Sequence, residues 1–289
     1  MGKLNKFYIK EKRYIKRGEI IPYGVKMVGA PFVWGETMGE GIKVGVIDTG
    51  VDIAHIDLKD RIIKYKNFTN EDYNDYNGHG THICGIIGAS KNNIGIVGVA
   101  PRCSMLVAKA FLKDGTCEEK NIINSIRWLT EERVDVINMS FSAQNFTPEY
   151  HSVIREADKN GIVMVAAAGN EAKQGIGYPA RFKEIICVGA VDYNRKKAYF
   201  SSMGERVDVA AAGSEILSCY PQGKYAVLSG TSMATPVITG AVALIKAKAK
   251  KRLRRNLTPD EVKLILKINS HDLGIPGKDE NYGYGLFTF

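Results

Sequence analysis

The chain has 289 residues, 45% hydrophobic and 25% charged, a globular composition with enough length to bury one large α/β core. No segment approaches the roughly 18 uncharged apolar residues of a membrane-spanning helix, and five cysteines without C-x-x-C spacing argue against a disulfide framework or a zinc site. The net charge of +9 sits in residues 1–17 and 246–255, each block with seven Lys or Arg, so the remainder is slightly acidic.

Such blocks serve as solvated tails and helix ends, or as patches for nucleic acid or acidic peptides; no base-reading motif accompanies them here. The opening stretch MGKLNKFYIKEKRYIKRGE is basic like the start of a signal peptide, yet no apolar run or small-residue cleavage site follows. Lys6 stands where a myristoylation signal carries Ser or Thr. A cytoplasmic location is the expectation.

From Gly41 the pattern becomes regular. GIKVGVID (41–48) is a short apolar run of the kind shown by a strand buried on both faces. SMLVAKAF (104–111), VDVINMSF (134–141), GIVMVAAAGN (161–170) and EIICVGAVD (184–192) repeat it. Between them, CEEKNIINSIRWLTEE (117–132) places Ile122, Ile126 and Leu129 at helical spacing. TPEYHSVIREADKNG (147–161) reads as a helix capped by Thr147, with Pro148 in its first position and Gly161 at its end. An apolar helix begins near Ser232 in LSGTSMATPVITGAVALIK (228–246), and TPDE (258–261) is a capping pattern for a helix reaching about Asn269. Alternating strands and helices predict an α/β fold, a mostly parallel sheet flanked by helices on both faces. Active residues then belong beyond the carboxyl ends of the strands. Asp48, Ser140 and Asn170 all fall at such ends.

Each polar residue has an ordinary reading and a chemical one. Ser232 at a helix start is a natural cap, or a nucleophile if a base and an orienting acid exist elsewhere. Asp48 closes an apolar strand, a costly position for a carboxylate without a partner. His79, between two glycines in NGHGTHICG (77–85), is the candidate partner, and His82 is its rival. His-x-x-His hints at a metal, but no third ligand pattern follows. VGVIDTGVD, NGHGTH, AAAGNE and GTSMATP, in this order, closely resemble the subtilisin-like serine protease family, and IPYGVKMVGAP (21–31) resembles the mature start of its members. The resemblance runs from about Glu19 to the end.

That resemblance implies a serine endopeptidase with Ser232 as nucleophile, His79 as base, Asp48 as the orienting acid and Asn170 in the oxyanion hole. It places Ser140, Phe141 and Ser142 on the strand that pairs with an extended substrate, Ser142 replacing a glycine. Ala167, Ala168 and Gly169 would form a wall of the primary specificity pocket, Gly177 its floor, and Glu171 a rim residue favouring basic side chains. KNNIGIVGVAP (91–101) resembles the family's calcium loop, which implies Ca2+ held by Asn92, the carbonyls of Ser90, Ile94 and Ile96, Asp57 and Glu19.

Departures from the family pattern are Val237 in place of a His and VAAAG (209–213) without its usual Pro. Cys84, one turn beyond His79, is a thiol that oxidants or mercurials could reach if exposed; Met233 is an oxidation liability. About 18 residues precede the mature-like start, which resembles the intracellular branch of the family. Residues 1–17 are therefore expected to act as a short inhibitory extension, with Phe7, Tyr8, Tyr14 and Ile15 as apolar anchors, and residues 18–289 as the peptidase domain. The partner is then a peptide or protein substrate in extended conformation; narrower alternatives are a leader-peptide processing protease and a catalytically weak peptide-binding partner.

Overall fold

The structure, a computed structural model, describes residues 2–4, 7–15, 18–172 and 175–289. Residues 1, 5, 6, 16 and 17 of the expected extension lie outside the described residues. The extension contributes β1 (Gly2–Leu4) and β2 (Tyr8–Arg13), followed by β3 (Glu19–Ile20), α1 (Tyr23–Met27) and α2 (Ala30–Val33). Then come β4 (Lys43–Asp48), β5 (Ile62–Asn67), α3 (His79–Gly88), β6 (Gly95–Ile96), β7 (Ser104–Lys109), β8 (Thr116–Cys117) and α4 (Glu119–Glu131). The middle of the chain forms β9 (Val136–Met139), β10 (Phe141–Ser142), α5 (Pro148–Lys159), β11 (Val163–Ala167), β12 (Ile186–Val191) and β13 (Val209–Ala212). The last elements are β14 (Ile216–Tyr220), β15 (Lys224–Ser229), α6 (Thr231–Leu253), α7 (Pro259–Ile268), β16 (Ser270–His271) and β17 (Leu286–Phe287).

The main sheet runs β16-β17-β13-β12-β11-β9-β4-β7-β5 and is parallel except at the β16–β17 pair. Its apolar runs are continuous because both faces are covered. Val44, Val46, Val136, Val163 and Val165 join one core with residues of α3, α6 and α7. Their strand neighbours Ile47, Ile137, Met139, Met164 and Ala166 point the other way, into a second core with α4 and α5. Gly45 lets α4 approach β4, since a Cβ there would lie 2.8 Å from Leu129.

Local signals set the helix ends. Thr147 Oγ1 accepts the Tyr150 N–H ahead of Pro148, and Thr258 and Glu261 form a reciprocal capping box. One expected strand is divided: 134–141 stops at Met139, and Phe141–Ser142 leaves the main sheet as β10. The parallel order brings the carboxyl ends of β4, β9 and β11 to one edge of the sheet.

Candidate active site

Asp48 ends β4 fully buried, and its two carboxylate oxygens lie 2.8 and 3.0 Å from His79 Nδ1. A carboxylate only accepts, so Nδ1 carries the proton and Nε2 is the basic nitrogen. Nε2 is buried and has no hydrogen-bond partner among the described residues. The glycines around His79 are there for space. A Cβ on Gly80 would sit 2.1 Å from the Gly50 carbonyl oxygen, and one on Gly78, at φ +90°, would sit 2.4 Å from the Tyr220 ring.

A second buried acid, absent from the sequence reading, ties this corner together. Asp75 Oδ1 accepts from Thr49 Oγ1 and Gly78 N, each at 2.8 Å. Its Oδ2 accepts from Thr81 N at 2.8 Å and Thr81 Oγ1 at 2.6 Å. Thr49 N in turn donates to Asp48 Oδ1 at 2.8 Å. The loop after β4 and the first turn of α3 are thereby one hydrogen-bonded unit. His82, the rival histidine, serves the fold: its Nε2 lies 3.1 Å from both the Ile216 and Ala226 carbonyls. Burial holds its pKa down to about 3, so it is neutral.

Ser232 is the second residue of α6 and does not cap it. The N-cap is Gly230, without a side-chain bond. Ser232 Oγ instead donates to the Ser140 carbonyl at 3.0 Å, and Ser140 Oγ donates to the Ser232 carbonyl at 3.0 Å. The second bond has a sequence cause. Pro236 has no N–H, so the Ser232 carbonyl loses its helical donor four residues on, and the Ser140 hydroxyl replaces it.

Asn170 is positioned through its amide oxygen, which accepts from Thr231 N at 2.8 Å and Thr231 Oγ1 at 2.7 Å. Its Nδ2 faces Gly230, where a Cβ would come within 2.9 Å. Thr231 Oγ1 also accepts the Gly169 N–H at 3.2 Å. Ala167 and Ala168 are buried, and Gly169 takes φ +113°. Gly177 packs against Ser142 and the Ala143 carbonyl, at 3.2 and 3.0 Å from a Cβ placed on it. Glu171 is exposed, its N–H on Ser202 Oγ at 3.1 Å. Burial pushes the Cys84 thiol well up, and Met233 is fully buried, so neither presents its sulfur to solvent.

The extension lies across these residues. β1 forms a three-stranded antiparallel sheet between β10 and β8, pairing Lys3 with Ser142 and Leu4 with Phe141. Leu4, which the sequence reading did not single out, is buried in the core shared by Phe111, Phe141 and Ile122. Phe7 packs on His79 with ring centroids 4.9 Å apart. β2 then pairs antiparallel with β15, from Tyr8 opposite Ser229 to Arg13 opposite Tyr225. Ile15 packs partly buried against the core, while Tyr14 is exposed.

Three of the expected calcium ligands, Glu19, Asp57 and Asn92, are joined through hydrogen bonds. β3 pairs with β6, setting Glu19 beside Gly95 and Ile20 beside Ile96. Glu19 Oε1 accepts the N–H groups of Asn92 and Asn93 at 2.7 Å. Asn92 Nδ2 donates to Asp57 Oδ1 at 3.1 Å, and Asp57 Oδ2 accepts from Ile96 N at 3.0 Å. Asn92 Oδ1 holds the Ile94 N–H at 3.0 Å, and the buried Ser90 Oγ has no partner among the described residues. Two carboxylates, an amide and carbonyl-bearing loop residues make an oxygen-rich set that fits a hard cation.

Comparison with known proteins agrees with this geometry. Residues 39–285 match the model of the subtilase family. An intracellular serine protease of Paenibacillus polymyxa is 43% identical over 279 residues, 93% of this chain and 86% of that protein. The major intracellular serine protease of Bacillus subtilis is 42% identical over 255 residues, 84% of this chain and 80% of its own. Subtilisin DY of Bacillus licheniformis is 41% identical over 277 residues, 93% of this chain and 97% of its own.

Proposed function

Because the chain belongs to the subtilase family and is a serine endopeptidase, we propose that Ser232, His79 and Asp48 are its triad and that Asn170 completes its oxyanion hole. The Asp48–His79 pair, buried at 2.8 Å, carries the reading. In this scheme Ser232 Oγ turns from the Ser140 carbonyl and attacks the substrate carbonyl while Nε2 takes its proton. Asp48 stabilises the imidazolium, which returns the proton to the leaving amine. Water then hydrolyses the acyl-enzyme by the same base. The Asn170 amide and the Ser232 N–H stabilise the developing oxyanion. A fluorophosphonate probe tests this: one adduct by intact mass on the wild type and none on Ser232→Ala is expected.

Residues 1–17 serve as an inhibitory extension in this proposal, and residues 18–289 as the peptidase domain. The support is that described residues of the extension pair with both sides of the cleft and cover His79. Phe7→Ala and Leu4→Asp in the full chain are expected to raise peptidase rate; rates unchanged by both would refute the brake. Ser140, Phe141 and Ser142 would pair with the substrate as they do with β1. Ala167, Ala168, Gly169 and Gly177 would enclose its primary side chain, with Glu171 at the rim. Glu19, Asp57, Ser90, Asn92, Ile94 and Ile96 would hold Ca2+, which supplies loop rigidity rather than chemistry. The names of the Paenibacillus and Bacillus relatives support an intracellular location, consistent with a cytoplasmic enzyme.

A further inference from the structure

Downstream of Phe7, the extension runs through a region the triad does not use. Beside β2 lies a cleft of about 540 Å³ bounded by Tyr23, Asp192, Tyr193, Tyr199, Phe200 and Glu215. The extension fills only one side of it, with Tyr8, Ile9 and Lys10 on the boundary. Tyr8 packs near Tyr199 and Phe200, with centroids 6.3 and 6.5 Å apart. Lys10 Nζ meets Glu215 Oε1 at 2.6 Å. Lys12 Nζ sits 4.4 Å over the Tyr220 ring.

Two features make this more than a chance contact. First, the cleft is acidic within a chain of net charge +9. Burial, then Asp192 and Glu215, push the Tyr23 phenol up, so both carboxylates act on one tyrosine. Second, the outer edge of β15 is a strand edge that any extended chain could pair with by backbone hydrogen bonds. The extension takes it for six residues, Tyr8–Arg13, with a register shift beside Val227 and Leu228.

We propose, on the basis of the peptidase reading above, that this cleft and the β15 edge select the substrate segment downstream of the cut bond. The segment they fit is basic and extended. It carries an aromatic side chain for Tyr199 and Phe200, a Lys or Arg two residues on for Glu215, and another four residues on for the Tyr220 ring. Acidic segments would meet Glu215 and Asp192 as like charges and be rejected. The selected class is thus opposite in charge to the acidic peptides that the basic blocks of the sequence would attract.

The test uses the full chain and two internally quenched peptides. They share one upstream half; downstream one carries Tyr-Ser-Lys-Ser-Lys and the other Tyr-Ser-Glu-Ser-Glu. The ratio of their kcat/KM values cancels whatever fraction of molecules has its extension seated. Exposed charge contacts each contribute a few-fold, so a preference of about tenfold for the basic peptide is expected. Glu215→Lys should cut it to about threefold or less. A wild-type ratio within about twofold of one, or one that Glu215→Lys leaves unchanged, overturns the proposal. Should neither peptide be cut, both are titrated by fluorescence anisotropy against full-length Ser232→Ala that also carries Leu4→Asp and Phe7→Ala, which free the cleft of its extension. Tighter binding of the basic peptide then supports the proposal, and equal or no binding overturns it. Failure of the peptidase reading is separate: it shows as no turnover and no fluorophosphonate adduct in the full chain and also in Leu4→Asp and Phe7→Ala, whose extension is loosened.

Discussion

At the scale of single residues, the proposed site depends on groups that hold its proposed catalytic residues in place. Thr231 is one. Its hydroxyl bonds the Asn170 amide oxygen and the Gly169 N–H, so it sets where Nδ2 points. Thr231→Val should lower kcat about tenfold with little change in KM, because misplacing Asn170, the proposed oxyanion donor, weakens transition-state binding alone. Thr231→Ser should restore most of it; steady-state kinetics on the pair decides. Asp75 is another. Each of its oxygens accepts two bonds, and Asp75→Asn turns one acceptor into a donor facing N–H or O–H groups. A loss of about 2–3 kcal/mol in urea unfolding is expected from such a buried mismatch. A part for Thr231 beside the oxyanion hole follows from its place next to Ser232, but the Asp75 role is not visible in the chain as text. The catalytic motifs are legible because several unusual residues sit close together; Asp75 is an ordinary acid in an acidic loop until the fold shows what surrounds it.

At the scale of elements, α3 must touch the turn after β4 for Asp48 to reach His79. Gly80→Ala puts a methyl group 2.1 Å from the Gly50 carbonyl, a backbone atom that cannot step aside cheaply. We expect a loss above about 3 kcal/mol in stability, and a peptidase rate that falls further than the remaining folded fraction explains. The interior strands were readable from sequence because β4, β7, β9, β11 and β12 are buried on both faces and their apolar runs are unbroken. The edge strand β5 was not, since four of its six residues are exposed and it reads as loop. Strands β1 and β2 escaped for a different reason. Their pairing partners lie far away in sequence, and β2, exposed along its length, has no apolar face to betray it. Where the extension lies is a tertiary fact, and its aromatic residues only hinted at it.

At the scale of the whole molecule, one buried group links pH to stability. His82 bridges α3 to the β14–β15 hairpin in neutral form, with its folded pKa near 3 against an ordinary 6.5. Below pH 6.5 the unfolded chain takes up a proton that the folded one refuses, so stability falls steadily until about pH 3. By pH 4.5 this group alone should cost about 3 kcal/mol. His82→Gln should flatten that acid limb in urea unfolding measured from pH 7 to 4.5. Calcium should act the opposite way: if the loop at Asn92 holds the ion, added Ca2+ raises Tm and a chelator lowers it, and Asp57→Asn abolishes the difference. The extension, finally, is part of the chain it covers. An inhibitor in solution leaves when the sample is diluted, but a tethered one keeps the same effective concentration at any dilution. If the extension is the brake proposed above, activity should therefore not rise on dilution of the intact chain. If release comes by cutting, one freed molecule can unlock others, and onset would follow the square of concentration: a lag that shortens as protein accumulates and lengthens as it is diluted.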